Sequence, residues 1–157
     1  MINVRFEGLD ALLEQLEEMA EEIKDAALQG LKAGLSETVA WAKNAVQEDT
    51  GQLRNSIIST AERQGNEIYG KAVAGASHAV YVEMGTGPKG QASDGGKAPI
   101  GATYTTHGWV YRDPKTGNFY YTYGQPANPF MYPAYKATKD TIKDKIAEAI
   151  NRAVEEG

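Results

Sequence analysis

The stretch 28–51, LQGLKAGLSETVAWAKNAVQEDTG, decides the fold. Leu28, Leu31, Leu35, Val39, Ala42 and Val46 recur at three- and four-residue steps, which aligns them on one face of a helix. Gly30 and Gly34 sit within that face at i, i+4, where the missing side chains permit close approach of another element. Glu48-Asp49-Thr50-Gly51 is polar and closes on glycine, a helix stop. Beyond it the chemistry turns to strands. Runs 53–63, 67–75 and 79–84 carry β-branched and aromatic residues, parted by Gln64-Gly65-Asn66 and Gly75-Ala76-Ser77. They predict an antiparallel meander with one face covered by the helices.

Upstream of this stretch, Ile2, Val4 and Phe6 alternate as in a short strand. Leu9, Leu12, Leu13, Leu16, Met19, Ala20 and Ile23 then take helical spacing, with Glu on the opposite side. Either two helices meet near Asp25 or one long helix bends there. Downstream, 85–98 is rich in Gly, Pro, Lys and Ser and reads as a long loop. Segment 103–123 reads as a hairpin turning at Asp113-Pro114-Lys115-Thr116-Gly117-Asn118. Segment 126–133 is too proline-rich for a helix interior or a central strand. A final helix is expected from about 134 to 155, striped by Ala137, Thr141, Ile142, Ile146, Ala149, Ile150 and Ala153. The expectation is one α+β domain over 1–157. Two N-terminal helices and a C-terminal helix pack on an antiparallel sheet, with a loop and Tyr-rich hairpin inserted at about 85–125.

Composition excludes more than it assigns. A chain of 157 residues, 41% hydrophobic and 24% charged, is globular in type and the size of one domain. No run approaches the roughly 18 apolar residues of a membrane helix, and no basic-then-apolar leader opens the sequence, so neither is expected. With no Cys, there are no disulfides, thiolate metal sites or cysteine nucleophiles. With two His, an all-histidine zinc site is excluded. A net charge of −5 argues against a general nucleic-acid binder. The acidity belongs to one N-terminal element, mainly Glu14, Glu17, Glu18, Glu21, Glu22 and Asp25. It reads as a solvated helix face, or as an electronegative surface facing a basic partner or a lumen.

Three catalytic patterns fail on their context. Asp49-Thr50-Gly51 matches the aspartic-protease triplet, whose chemistry needs two carboxylates sharing a proton between apolar strands. Here it occurs once, in polar flanks, and a dimeric hydrolase using Asp49 is the alternative from another class. Gly85-Thr86-Gly87-Pro88-Lys89-Gly90 fits the dinucleotide-binding glycine pattern, but Gly, Ser and Pro follow where a helix is required. Ser77, His78 and Glu83 make a triad on paper only, since near neighbours along a strand face opposite ways. No catalytic, cofactor or metal residues are assigned.

The aromatic distribution is the unusual signal. Ten of the fourteen aromatic residues lie between Tyr104 and Tyr135. A hairpin carrying Phe119, Tyr121 and Tyr123 on one face and Tyr120 on the other wants covering twice. Tyr and Trp are enriched at interfaces because they bury area while keeping a polar handle. Base stacking on single-stranded nucleic acid needs a basic groove, and only Arg112 and Lys115 are near. The candidate interface is therefore Trp109, Tyr111, Phe119, Tyr120, Tyr121 and Tyr123, with Phe130, Met131 and Tyr132.

Four blocks in order resemble one family. They are Gly8-Leu9-Asp10-Ala11-Leu12-Leu13-Glu14-Gln15-Leu16; then Ala42-Lys43 followed by Asp49-Thr50-Gly51-Gln52-Leu53-Arg54-Asn55-Ser56-Ile57; then Ala79-Val80-Tyr81-Val82-Glu83-Met84-Gly85-Thr86; and Ala127-Asn128-Pro129-Phe130-Met131-Tyr132-Pro133-Ala134. The chain resembles the phage tail-component family typified by the gene-product-ten protein of phage HK ninety-seven. It departs from the family pattern in two places. About forty residues separate the third block from the fourth, and Asn128 stands where Arg is common.

The resemblance implies a non-enzymatic virion protein without cofactor, made in the host cytoplasm and built into the neck or tail. It would join head to tail or complete the tail as a homo-oligomeric ring, sixfold, between the head connector or adaptor and the tail tube or its terminator. DNA would be only passing cargo in the lumen, and no membrane is involved. A tail terminator capping the tube is the nearest alternative. Gly51 and Gly85 are expected to permit turns; Leu53, Ile57, Val80 and Val82 to feed the core; Arg54 and Glu83 to pair across the sheet.

Overall fold

In the computed structural model the described residues are 2–4 (backbone only), 20–46, 51–93, 97 and 101–156. The helix expected over 9–19 and the triplet residue Asp49 lie outside them. The elements are β1 (Ile2–Val4), α1 (Glu21–Ala45), α2 (Gln52–Asn55), β2 (Ile57–Gln64), β3 (Glu67–Ala74), α3 (Ala79–Met84), α4 (Gly87–Ala92), β4 (Trp109–Arg112), β5 (Phe119–Thr122) and α5 (Met131–Glu156). Two small antiparallel sheets form, one ordered β1-β3-β2 and the other β4-β5.

The stripe on α1 lies between sheet and helix. Leu31 and Leu35 are buried against β3, while Ala42 and Val46 join Leu53, Ile57, Phe130 and Met131 in a second cluster. The first cluster holds Ala27, Leu31, Leu35, Ile68, Ile142, Ile146 and Ile150. Each fully buried aliphatic side chain of this kind contributes about 1.5–3 kcal/mol. α5 runs antiparallel along α1 with one close contact per turn. A Cβ on Gly30 would stand 2.6 Å from the Ile146 Cα, and one on Gly34 2.7 Å from the Ile142 Cα. One turn further on, the hydroxyls of Thr38 and Thr138 share a buried hydrogen bond of 2.6 Å. The close approach that the two glycines permit is made by α5.

Several expectations are corrected. Residues 79–84 form helix α3, because a helical turn sends Ala79, Glu83 and Met84 inward together. Leu53 opens no strand; it is the buried residue of the helical turn α2, and β2 starts at Ile57. Residues 87–92 are helical rather than irregular. α5 begins at Met131, with Pro133 in its first turn, where a missing N–H breaks no intrahelical bond. Its buried stripe passes through Thr138, while Ala137 is exposed.

Candidate assembly surface

The aromatic segment forms an arm. β4 and β5 pair in the register Trp109↔Thr122, Val110↔Tyr121, Tyr111↔Tyr120 and Arg112↔Phe119. Residues directly opposite share a face, so rings stand on both faces. Trp109, Tyr111 and Tyr120 are on one; Phe119 and Tyr121 are on the other. The Tyr111 and Tyr120 rings lie 6.0 Å apart, and Tyr121 meets Tyr123 edge-to-face at 5.3 Å. The Arg112 guanidinium stands over the Phe119 ring at 6.0 Å. All of these rings are exposed, from 36% at Trp109 to 71% at Phe119. Phe130 and Met131 differ: both are fully buried in the core, and Tyr132 is half-buried beside Tyr135. The surface set is the arm; those two residues hold the monomer together.

The arm's turn is set by Asp113. Its carboxylate accepts from the Lys115 N–H at 2.8 Å and the Thr116 hydroxyl at 3.1 Å, while Gly117 donates to the Asp113 carbonyl. The Lys115 N–H, chiefly, holds this carboxyl below its ordinary pKa.

The base of the arm is tied down. The Thr86 N–H donates to the Gln125 carbonyl, the Gln125 N–H to the Thr86 hydroxyl, and the Asn128 N–H to the Val82 carbonyl. The Tyr104 hydroxyl donates to the Met84 carbonyl at 2.9 Å. Segment 123–128 thus runs as a strap across α3 and the start of α4. Gly85 lies beneath it at φ +73°, and a Cβ there would stand 2.6 Å from the Ala127 nitrogen.

Glu83 locks strap to helix. One carboxylate oxygen accepts from the N–H groups of Phe130 and Met131 at 2.8 and 2.9 Å, the other from Tyr132 at 3.0 Å. The next residue, Pro133, has no N–H, and Ala134 already donates to the Phe130 carbonyl. Every donor of the helix start is thereby used. An acidic group also suits the positive end of the helix dipole. Arg54 serves the opposite polarity: it donates to the carbonyls of Lys43 and Val46 at the end of α1. The expected pair across the sheet is replaced by two helix-end contacts. Sequence reasoning missed the role of Glu83; a lone acid in an apolar run ahead of a proline-flanked helix start was its signal.

Of the acidic N-terminal residues, Glu21 and Asp25 are engaged by Arg63 of β2, and Lys24 bonds both Glu21 and Asn66. Arg63, first, and Lys24 hold the Glu21 carboxyl below its ordinary pKa. His78 is the N-cap residue of α3, and both Glu83 oxygens accept from backbone N–H groups at the start of α5. The glycine pattern at 85–90 is occupied by the strap and by its own short helix. Among the described residues, no group of three or more side chains is placed to hold a metal ion, and no helix is long and apolar enough to cross a membrane.

Fold and surface together define a mixed helix–sheet chain whose exposed feature is a braced aromatic arm. Residues 10–85 match the family described as "Bacteriophage HK97-gp10, putative tail-component". The matched segment spans α1 through α3 and includes Glu83; the arm and α5 follow it. No curated protein and no solved structure matches the chain.

Proposed function

We propose that this chain is a structural, non-enzymatic subunit of the phage neck, completing the tail or joining it to the head. In this reading it forms a ring, sixfold, between head connector and tail tube, with DNA passing through the lumen. It is made in the host cytoplasm and incorporated into the virion. One observation carries the reading: six aromatic rings stand exposed on both faces of an arm whose base is fixed by backbone hydrogen bonds. A monomer gains nothing from such an arm, whereas a contact protein does. The match to phage tail components supports the same class.

The test is complementation of a phage lacking the gene with Tyr120→Ser/Tyr121→Ser. Filled heads and separate tails should accumulate in micrographs while the variant stays folded and soluble. Normal joined particles would overturn the reading. Overlong tail tubes would instead identify a terminator that caps the tube.

A further inference from the structure

β2 is an edge strand. Among the described residues its eight positions pair with β3 on one side only, and no proline interrupts it. Unpaired N–H and C=O groups along such an edge form a template for an added strand. Beside that edge lies a groove of about 410 Å³ lined by Lys32, Leu35, Ser36, Ser59, Thr60 and Ala61. Its apolar floor is the half-buried Ala61, with the fully buried Leu35 behind it; its rim is hydroxyls and one ammonium. That chemistry suits side chains with an apolar body and a polar tip, since hydroxyls pair with a phenol and a Lys ammonium is attracted to a ring face.

This chain carries such side chains on a strand. β4 and β5 pair with each other, and Tyr111, Tyr120 and Trp109 share one face. We propose that the aromatic arm of one copy adds to the β2 edge of the next copy, seating its Trp109–Tyr111–Tyr120 face in the groove over Ala61. The contact joins two different patches, so repetition by rotation closes a ring. The three rings of that face, each with about half of its roughly 150–250 Å² still open, offer on the order of 225–375 Å². The rest of the ~800 Å² a stable interface takes from each partner falls to the added strand and its main-chain hydrogen bonds. The inference rests on the proposed ring and names its subunit contact.

The chain has no cysteine, so a designed disulfide reads the contact directly. Full-length Ser59→Cys and Tyr111→Cys variants, mixed at high concentration and in assembling phage, should oxidise to a covalent heterodimer. Tyr111→Cys mixed with Glu155→Cys is the control and should stay monomeric on denaturing gels. Loss of the heterodimer in both settings overturns the proposal, as does a Tyr111→Cys homodimer in its place, which would mean arm-to-arm pairing. If joining still fails for the tyrosine variants while no heterodimer forms, the neck role stands and the arm's partner is another virion protein. If joining is intact, the neck role itself fails.

Discussion

The Glu83 carboxylate lies 2.8 Å from the backbone nitrogen of Phe130, 47 residues further along the chain. That bond ties α3, inside the matched family segment, to the start of α5, outside it. The donors at Phe130 and Met131 are buried, so their alternative to Glu83 is no partner at all. Glu83→Ala should cost about 2–4 kcal/mol, from several charge-assisted bonds lost and buried N–H groups left open. Glu83→Gln keeps one acceptor oxygen and should cost less. At about 2–4 °C per kcal/mol for a chain this size, calorimetry separates the two. Equal melting temperatures for wild type and Glu83→Ala would contradict the capping role.

Gly34 faces α5 with no room for a methyl group, its Cβ position lying 2.7 Å from the Ile142 Cα. Helix propensity alone would favour alanine by about 1 kcal/mol. Overpacking against backbone costs about 1–3 kcal/mol, and the helix must shift bodily to relieve it. Gly34→Ala should therefore lower the urea midpoint despite the better helix former. A raised midpoint would show that α1 and α5 sit further apart.

Much of this scaffold was legible because its causes are local. The 3.6-residue stripes gave α1 and α5, and Gln64-Gly65-Asn66 gave the β2–β3 turn. Gly30 and Gly34 marked a close approach, but that a helix makes it was not legible. What misled was context. Val80-Tyr81-Val82 favours a strand by composition, yet 79–84 is helical because Glu83 must reach a helix start 47 residues away. Phe130 and Met131 looked like presented residues beside their prolines, but α5 starts early enough to turn both into the core. Long-range partners leave no period in a sequence.

Thr38 and Thr138 share a buried hydrogen bond of 2.6 Å between α1 and α5, and each also donates or can donate to a carbonyl of its own helix. Thr38→Val or Thr138→Val leaves one hydroxyl facing a methyl and should cost about 1 kcal/mol. The double variant removes both polar groups and should cost less than the sum, a coupling of about 0.5–1 kcal/mol. Additive midpoint shifts in the four-protein cycle would mean that the two hydroxyls do not depend on each other.

Acid stability follows from two carboxyls held below their ordinary pKa, Glu21 by Arg63 and Lys24, Asp113 chiefly by the Lys115 N–H. A group whose folded pKa is depressed binds fewer protons folded than unfolded. Its contribution is whole above the unfolded value, about 4 to 4.5, and is lost as pH falls through the lower folded value. Stability should be level between pH 7 and about 5 in respect of these groups and decline below about 4.5. Arg63→Ala and Asp113→Asn should each flatten part of that decline. Urea midpoints measured from pH 6 to 2.5 check the sign; an upward trend in acid would reverse it.

Gly85 sits where structure and assembly meet. Its φ of +73° lies in the region that side chains rarely adopt, and a Cβ would run into the strap at Ala127. Relief cannot come from a flexible side chain, because the neighbours are the Ala127 nitrogen, the Gln125 carbonyl oxygen and the Gly90 Cα. Gly85→Ala should therefore lift segment 123–128 off α3 and free the base of the arm. The scaffold clusters around α1 do not include the strap, so the helical circular dichroism signal should persist. Limited proteolysis should show faster cutting between 101 and 128, and complementation should fall even though every arm ring is intact. Unchanged cleavage with full complementation would mean that the arm works without its brace.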